Sequence, residues 1–249
     1  MTESKGISGR QVSTEQSTQG RNLSDIAYDR IEEVIVHLKI RPGEFTTVSA
    51  LQQDIELGRT PVLDAVRRLA DDTLVLVQSR RGLQVAPIQL DRERRLLRLR
   101  ADVEKHAVRL AAERANSTHR SRMFQLVQAL KNELDGRNIH AFNELDRMLD
   151  MLVLDAADEP LILRTLRPLH SIFRRTGYIY LAHLDPDGEA FVSSIERHAV
   201  MLDAIARGYQ EGAVGHLTDL IDLAEGMFDT MARKIDPTLL DINIQPLSL

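Results

Sequence analysis

GRTPVLDAVRRLADD, Gly58 to Asp72, is the stretch on which the reading of the whole chain turns. Val62, Ala65, Val66 and Leu69 recur at helical period and point one way. Pro61 suits a first helical turn, because the N–H it lacks would be unpaired there anyway. Thr60, Leu63, Asp64, Arg67 and Arg68 fall on or near the opposite face. An amphipathic helix that opens on Arg59 and carries two more arginines outward leaves two readings open. The face is either solvated or laid against something negatively charged.

The flanking segments supply context. Upstream, SDIAYDRIEEVIVHLKI (24–40) places Ile26, Ile31, Val34, Ile35 and Leu38 on one helical face, with Ser24 as the expected N-cap. RPGEF (41–45) breaks that helix at Pro42-Gly43. TVSALQQDIEL (47–57) reads as a second, shorter helix ended by Gly58. Downstream, LVLVQ (74–78) and GLQVAP (82–87) read as two short strands around SRRG, a hairpin with a basic tip. Three helices followed by a hairpin is the order of a winged helix-turn-helix, which presents its third helix to the DNA major groove and its wing to the backbone or minor groove. In that setting Arg59, Thr60, Arg67, Arg68, Arg80, Arg81 and Gly82 are the candidate DNA contacts. Arginine can read guanine bidentately, and arginines and hydroxyls hold phosphate. Acidic residues are at least as numerous as basic ones over 23–90, so a basic surface must be confined to one side.

From Asp91 to about Lys234 the texture changes to continuous helical period. One long helix is expected from Asp91, then helices over about 118–136, 141–157, 160–181, 189–207 and 211–234. The breaks fall at DGRN, ADEP, LDPDG and RGYQEG. The expected fold is mainly α: a winged helix-turn-helix followed by an all-α antiparallel helical bundle. The expected domains are a disordered arm (1–22), the DNA-binding domain (23–87), a helical effector-binding and dimerisation domain (88–235) and an irregular tail (236–249). The arm is polar and lacks the apolar core of a signal peptide.

Composition narrows the function. No cysteine means no disulfide framework and no thiolate metal site. A net charge of −5 argues against non-specific coating of nucleic acid but leaves room for a local basic surface. Tryptophan is absent and aromatics are 4% of the chain, so a stacking platform for single strands is not expected. No apolar run approaches the ~20 residues of a membrane helix. No P-loop, Gly-rich nucleotide loop or Ser/His/Asp signature appears.

These elements together resemble the GntR family of bacterial transcription regulators, in the branch carrying the helical FCD effector domain. The resemblance rests on IRPGEF followed by LGRTPVLDAVRRLADDTLVLVQSRRGLQVAP, on RLRADVEKHAVRLAAERA and on ERHAVMLDAIARG. It covers roughly Leu23 to Asp229. The chain departs from the family pattern at Gly58, where a serine is usual, and at Leu63, where the family has a DNA-contacting arginine.

The resemblance also implies a pocket. Asp146 and Asp150 share a helix face by their spacing. Asp146 and His198 match two positions of the family's metal-ligand set, while Asp150 and Leu220 stand where histidines would be, with His216 one turn before Leu220. Arg100 matches the family's cavity-facing arginine, a natural carboxylate clamp; read by itself, it could equally pair with Glu104 on its own helix. Arg100, Asp146, Asp150 and His198 are therefore expected to line one internal cavity and bind effector. No cofactor is expected, although a weakly held divalent metal at Asp146, Asp150 and His198 stays open. Most of Arg164, Arg167, His170, Arg174 and Arg175 are expected at the surface, with one or two able to reach the cavity; His106, His119, His140 and His183 are expected at the surface. The implied protein is a cytoplasmic, homodimeric regulator, a repressor of a catabolic operon that binds a pseudo-palindromic double-stranded operator and answers a small carboxylate. Two alternatives remain at this stage. One is a metal-dependent helical hydrolase using Asp146, Asp150 and His198. The other is a protein-interaction module with a degenerate winged helix, which Leu63 favours.

Overall fold

The structure is a computed structural model, and it describes residues 22–244. The expected arm at 1–21 and the last five residues lie outside the described residues.

The N-terminal unit begins with α1 (Leu23–Val36). Its cap is Asn22, two residues earlier than the expected Ser24: the Asn22 side chain accepts a hydrogen bond from the Ser24 N–H at 3.1 Å. The helix ends at Val36, so Leu38, with φ of 57°, leaves the α1 face and packs elsewhere. Strand β1 (Phe45–Thr46) follows, then α2 (Val48–Ile55), capped by Thr47, which accepts from the Ala50 N–H at 3.1 Å. That helix stops at Glu56 in a left-handed conformation, before Gly58. α3 (Arg59–Asp71) buries Val62, Ala65, Val66 and Leu69 against α1 and α2. β2 (Val75–Gln78) and β3 (Gly82–Val85) form the hairpin, with Val75 opposite Val85 and Gln78 opposite Gly82.

The sheet order is β1-β3-β2, all antiparallel. The two-residue β1 is not visible in the sequence pattern, because two residues carry no alternation. Gly82 is required where β1 crosses β3. Its φ is +91°, and an added Cβ would stand 2.8 Å from the Thr46 carbonyl oxygen.

Six helices follow: α4 (Leu90–Arg114), α5 (Ser117–Asn132), α6 (Ile139–Ala157), α7 (Pro160–His183), α8 (Glu189–Ala206) and α9 (Gln210–Lys234). Local chemistry sets their limits. Asn116 and His119 make a reciprocal capping box, Asn138 caps α6, and Gly188 takes the left-handed turn into α8. α4 packs on α6 and α9, while α8 packs on α5 and α9, around a core that includes Met123, Phe142, Phe191, Ile195 and Leu202. No helix among the described residues is long and apolar enough to cross a membrane.

The tail is irregular, as expected, but it is docked. Beyond a short turn at Pro237–Leu239, the Leu240 carbonyl accepts from the Ile88 N–H and the Ile242 N–H donates to the Pro42 carbonyl. Asn243 Nδ2 donates to the Gly43 carbonyl at 2.9 Å. The end of the bundle is thereby strapped to the turn of the winged helix.

Charge also joins the two units along α7. Arg167 pairs with Asp29 at 2.8 Å, and Arg175 Nη1 donates to the Ala86 carbonyl at 2.8 Å. Arg175 is 2% exposed and Arg174 8%, so the expectation that most of this row lies at the surface is corrected for His170, Arg174 and Arg175. Each is paired, as buried charge must be.

Candidate functional site

On the winged helix, Arg59 and Thr60 stand exposed at the start of α3, beyond Gly58, which caps the helix without a side chain. Arg67 is exposed and pairs with Asp64 at 3.2 Å. Arg80 and Arg81 are exposed at the hairpin tip, Arg80 with a left-handed φ of 65°. The Arg81 guanidinium lies 5.9 Å from the Phe45 ring centre, so the wing's base positions its tip. Arg68 is different. Its Nη1 donates to Asp25 at 2.6 Å, and its guanidinium covers the Tyr28 ring at 4.6 Å. Tyr28 is fully buried, donates to Asp72 at 2.6 Å and meets Arg167 over its ring. Arg68 is thus turned toward α1 as a brace, away from the outer face expected of it. The outward set that remains is Arg59, Thr60, Arg67, Arg80 and Arg81, with Gly82 shaping the wing.

Inside the bundle, a cavity of about 110 Å³ is lined by Arg100, Asp146, Asp150 and His198 together. Apolar side chains such as Phe173, Leu220 and Phe228 complete its walls. His198 Nε2 is 3.1 Å from Asp146 Oδ1, and its Nδ1 is 2.7 Å from the Ser194 carbonyl, which it serves as donor. Burial alone would depress the His198 pKa, but the Asp146 carboxylate outweighs it and raises the pKa above the ordinary 6.5. Asp146 is pushed up by burial and pulled below its ordinary value by His198. Both shifts favour the charged form of each partner, so the pair stabilises an imidazolium–carboxylate contact.

The stability contributed by this pair depends on pH. The His198 contribution is complete below about pH 6.5 and is lost as pH rises through the raised folded value. The Asp146 contribution is present above about pH 4 and is lost as pH falls through the lowered one. Urea unfolding between pH 6 and 9 should show stability declining toward alkaline pH, and His198→Gln should flatten that decline. An unchanged slope in the variant would remove His198 as its source.

Asp150 does not join this pair. Arg174 Nη1 donates to its Oδ2 at 2.5 Å, and His170 Nδ1 lies 3.3 Å away. Burial raises the Asp150 pKa, and the neighbouring Asp146 adds to the rise. Arg100 is not a free clamp: its Nε donates to Glu104 Oε2 at 2.6 Å, and it lies over the Phe173 ring. The i,i+4 pairing is the arrangement adopted. Glu104 is also 3.0 Å from His170 Nε2. Although burial opposes it, Arg100 and His170 hold the Glu104 carboxyl far below the usual range.

The side chain that sequence reasoning did not single out is Arg174, which reaches the cavity wall. Besides Asp150, its Nη2 donates to Glu32 of α1 at 2.5 Å, and Ser171 donates to the same Glu32 oxygen at 2.5 Å. Burial raises the Glu32 pKa, but Arg174 and Ser171 bring it below its ordinary value. A continuous row of polar and ionisable side chains therefore runs Glu104, His170, Asp150, Arg174, Glu32, from the pocket to the reading head. Nothing in the α7 sequence marked it, because its partners lie up to 142 positions away.

The metal set implied by resemblance is not assembled. Asp146 and His198 pair, Asp150 is committed to Arg174 and His170, and Leu220 offers no donor. Among the described residues, the groupings whose donor atoms converge are Glu104 with Asp150 and His170, and Glu33 with His37 and His140. His216, half-exposed beside Asp219, is outside the cavity wall.

A winged helix with an arginine-bearing third helix, joined to a helical bundle with an internal polar pocket, is the build of a DNA-binding transcription regulator. The family comparisons agree. Residues 23–85 match the model for bacterial regulatory proteins of the gntR family, and residues 95–223 match the FCD domain. The chain belongs to the GntR family and carries an FCD domain, which places it among transcription regulators rather than enzymes. It is 26% identical over 162 residues to the HTH-type transcriptional repressor RspR of Escherichia coli (strain K12), covering 64% of this chain and 70% of that one. Its fold is similar to E. coli McbR/YncC, with TM-score 0.74, 15% identity and coverage of 86% and 100%. A putative GntR regulator from Rhodococcus sp. RHA1 superposes with TM-score 0.63 at 17% identity, covering 83% and 97%.

Proposed function

We propose that this regulator binds a pseudo-palindromic operator as a homodimer in the cytoplasm and represses a catabolic operon until a small carboxylate enters the bundle. Residues 23–87 serve as the reading head and 88–235 as the effector and dimerisation region. Repression is favoured by the likeness to RspR, whose name records that sign. The observation that carries the effector reading is the Asp150–Arg174–Glu32 bridge, which makes one guanidinium common to pocket and head. An incoming carboxylate competes with Asp150 for Arg174. Asp150, already raised in pKa, accepts a proton and lets go. Arg174 then shifts relative to Glu32, and the populations of head arrangements change by the ligand's differential affinity for them.

The hydrolase alternative loses its basis, because Asp146, Asp150 and His198 do not converge on one point. The exposed arginines favour DNA over a bare interaction module.

The test is a gel shift on the DNA upstream of the protein's own gene, repeated with a panel of small organic acids. Wild type should bind and be released by one class of acid. Arg174→Lys, which keeps a charge but not the fork, should bind DNA and lose the response. Absence of binding would support the interaction module, and an unaltered response in Arg174→Lys would remove the bridge from the mechanism. Sedimentation showing only the 28.1 kDa monomer at micromolar concentration would contradict the dimer.

A further inference from the structure

A second group of metal-capable side chains lies away from the pocket, at the seam between reading head and bundle. Glu33 and His37 stand four residues apart at the end of α1, and His140 and Glu144 stand four apart at the start of α6. Each pair shares a helix face, and the two faces oppose one another. Donor atoms of Glu33, His37 and His140 all lie within 4.8 Å of one another. The rings of His37 and His140 are 4.0 Å apart between centres, and His37 Nε2 is 3.9 Å from Glu144 Oε1.

His37 is the informative member. It is 8% exposed, yet neither ring nitrogen has a hydrogen-bond partner. Buried polar groups in native proteins are paired, and an imidazole with both nitrogens idle calls for a ligand. A neutral imidazole offers metal the lone pair of its unprotonated nitrogen, and neither nitrogen of His37 is engaged elsewhere.

We propose that Glu33, His37 and His140, with Glu144 nearest the fourth position, form a site for a divalent transition ion of the zinc, nickel and cobalt class. Two imidazoles with carboxylates suit these ions better than magnesium or calcium, which take oxygen ligands. Zinc–nitrogen bonds of about 2.0–2.1 Å imply donor spacings of about 3.3 Å, so the side chains need close by no more than about 1.5 Å on binding. The competing partners are weak. Lys39 reaches Glu33 at 3.8 Å and Arg147 reaches Glu144 at 3.5 Å, both in solvent-accessible pairs of little net strength.

Two ligands belong to the reading head and the others to the bundle, so the ion pins one to the other. The site shares no residue with the effector pocket. For the molecule as a whole it reverses the expectation of no bound transition metal drawn from the pocket residues.

The test uses the full chain with zinc, measured by competition with a chromophoric chelator, and with cobalt, read by its visible absorption. Wild type and the pocket variant Asp146→Asn should each bind one equivalent and melt higher with zinc. His140 is exposed, so His140→Ala should fold normally while binding zinc at least about 10-fold more weakly, since even outer-sphere changes cost about 10–100-fold. Glu33→Gln should weaken binding likewise, and both variants should lose the zinc-dependent rise in melting temperature. Failure of wild type to bind zinc at micromolar free metal would overturn the proposal. So would full retention in both His140→Ala and Glu33→Gln, or loss of the metal in Asp146→Asn, which would put the ion in the pocket.

Discussion

Replacing Arg174 with methionine should destabilise the protein by about 3–5 kcal/mol, the loss typical when one partner of a buried ion pair is removed. The reason is specific. Arg174 Nη1 and Nη2 each hold a carboxylate at 2.5 Å, and Asp150 and Glu32 are 5% and 3% exposed. Without the guanidinium, two buried acids face one another across a seam with no cation between them. Urea unfolding at pH 7 measures the loss. The triple variant Arg174→Met, Glu32→Gln, Asp150→Asn should recover much of it, because neutral replacement of a whole buried ionic group is often tolerated while breaking it is not. A loss below about 1 kcal/mol in Arg174→Met would mean that water reaches these carboxylates and that the bridge is not sealed.

The second large effect is expected on DNA. Arg59→Ala should weaken operator binding by about 1–3 kcal/mol for each half-site it reads. In a homodimer on a two-fold operator the change enters twice. Arg81→Ala should act more evenly across sequences and lower the salt slope by about one charge per subunit. Arg68→Ala supplies the contrast. Its partners are Asp25 and the Tyr28 ring, so its loss should appear in the unfolding of the winged helix and leave the salt slope alone. Anisotropy titrations from low to moderate salt distinguish the three. Equal affinity for wild type, Arg59→Ala and Arg81→Ala would defeat the DNA-reading assignment.

The two kinds of residue differ in how far the sequence discloses them. Amphipathic period placed the nine α-helices of the described residues to within a few residues, because Val62, Ala65, Val66 and Leu69, like the bundle's apolar rows, bury one face only. Turn chemistry at Pro42-Gly43, Gly188 and Gly208 marked the breaks for the same local reason. Resemblance brought Arg100, Asp146, Asp150 and His198 to one cavity, which no local pattern could have done. It could not say which of them were already satisfied. Arg100 is held by Glu104, and Asp150 is drawn from Asp146 toward Arg174. α7 misled because it is buried over most of its circumference, so its arginines read as a solvated row although Arg174 and Arg175 are buried. Their partners Glu32 and Glu93 come from other helices, and pairing across such separations leaves no periodic trace. His37 escaped for the complementary reason: its idle nitrogens are visible only once α6 is packed against α1.

Pocket and reading head share one guanidinium, and a double-mutant cycle read out as operator affinity tests most directly whether it couples them. Asp150→Asn removes the pocket's hold on Arg174, and Glu32→Gln removes the head's. If Arg174 couples them, Asp150→Asn should change operator affinity by about 5-fold or more in the wild-type background, the lower end of typical allosteric coupling. It should change affinity less than about 2-fold when Glu32 is already glutamine. Equal effects of Asp150→Asn in both backgrounds, or none in either, would contradict the account.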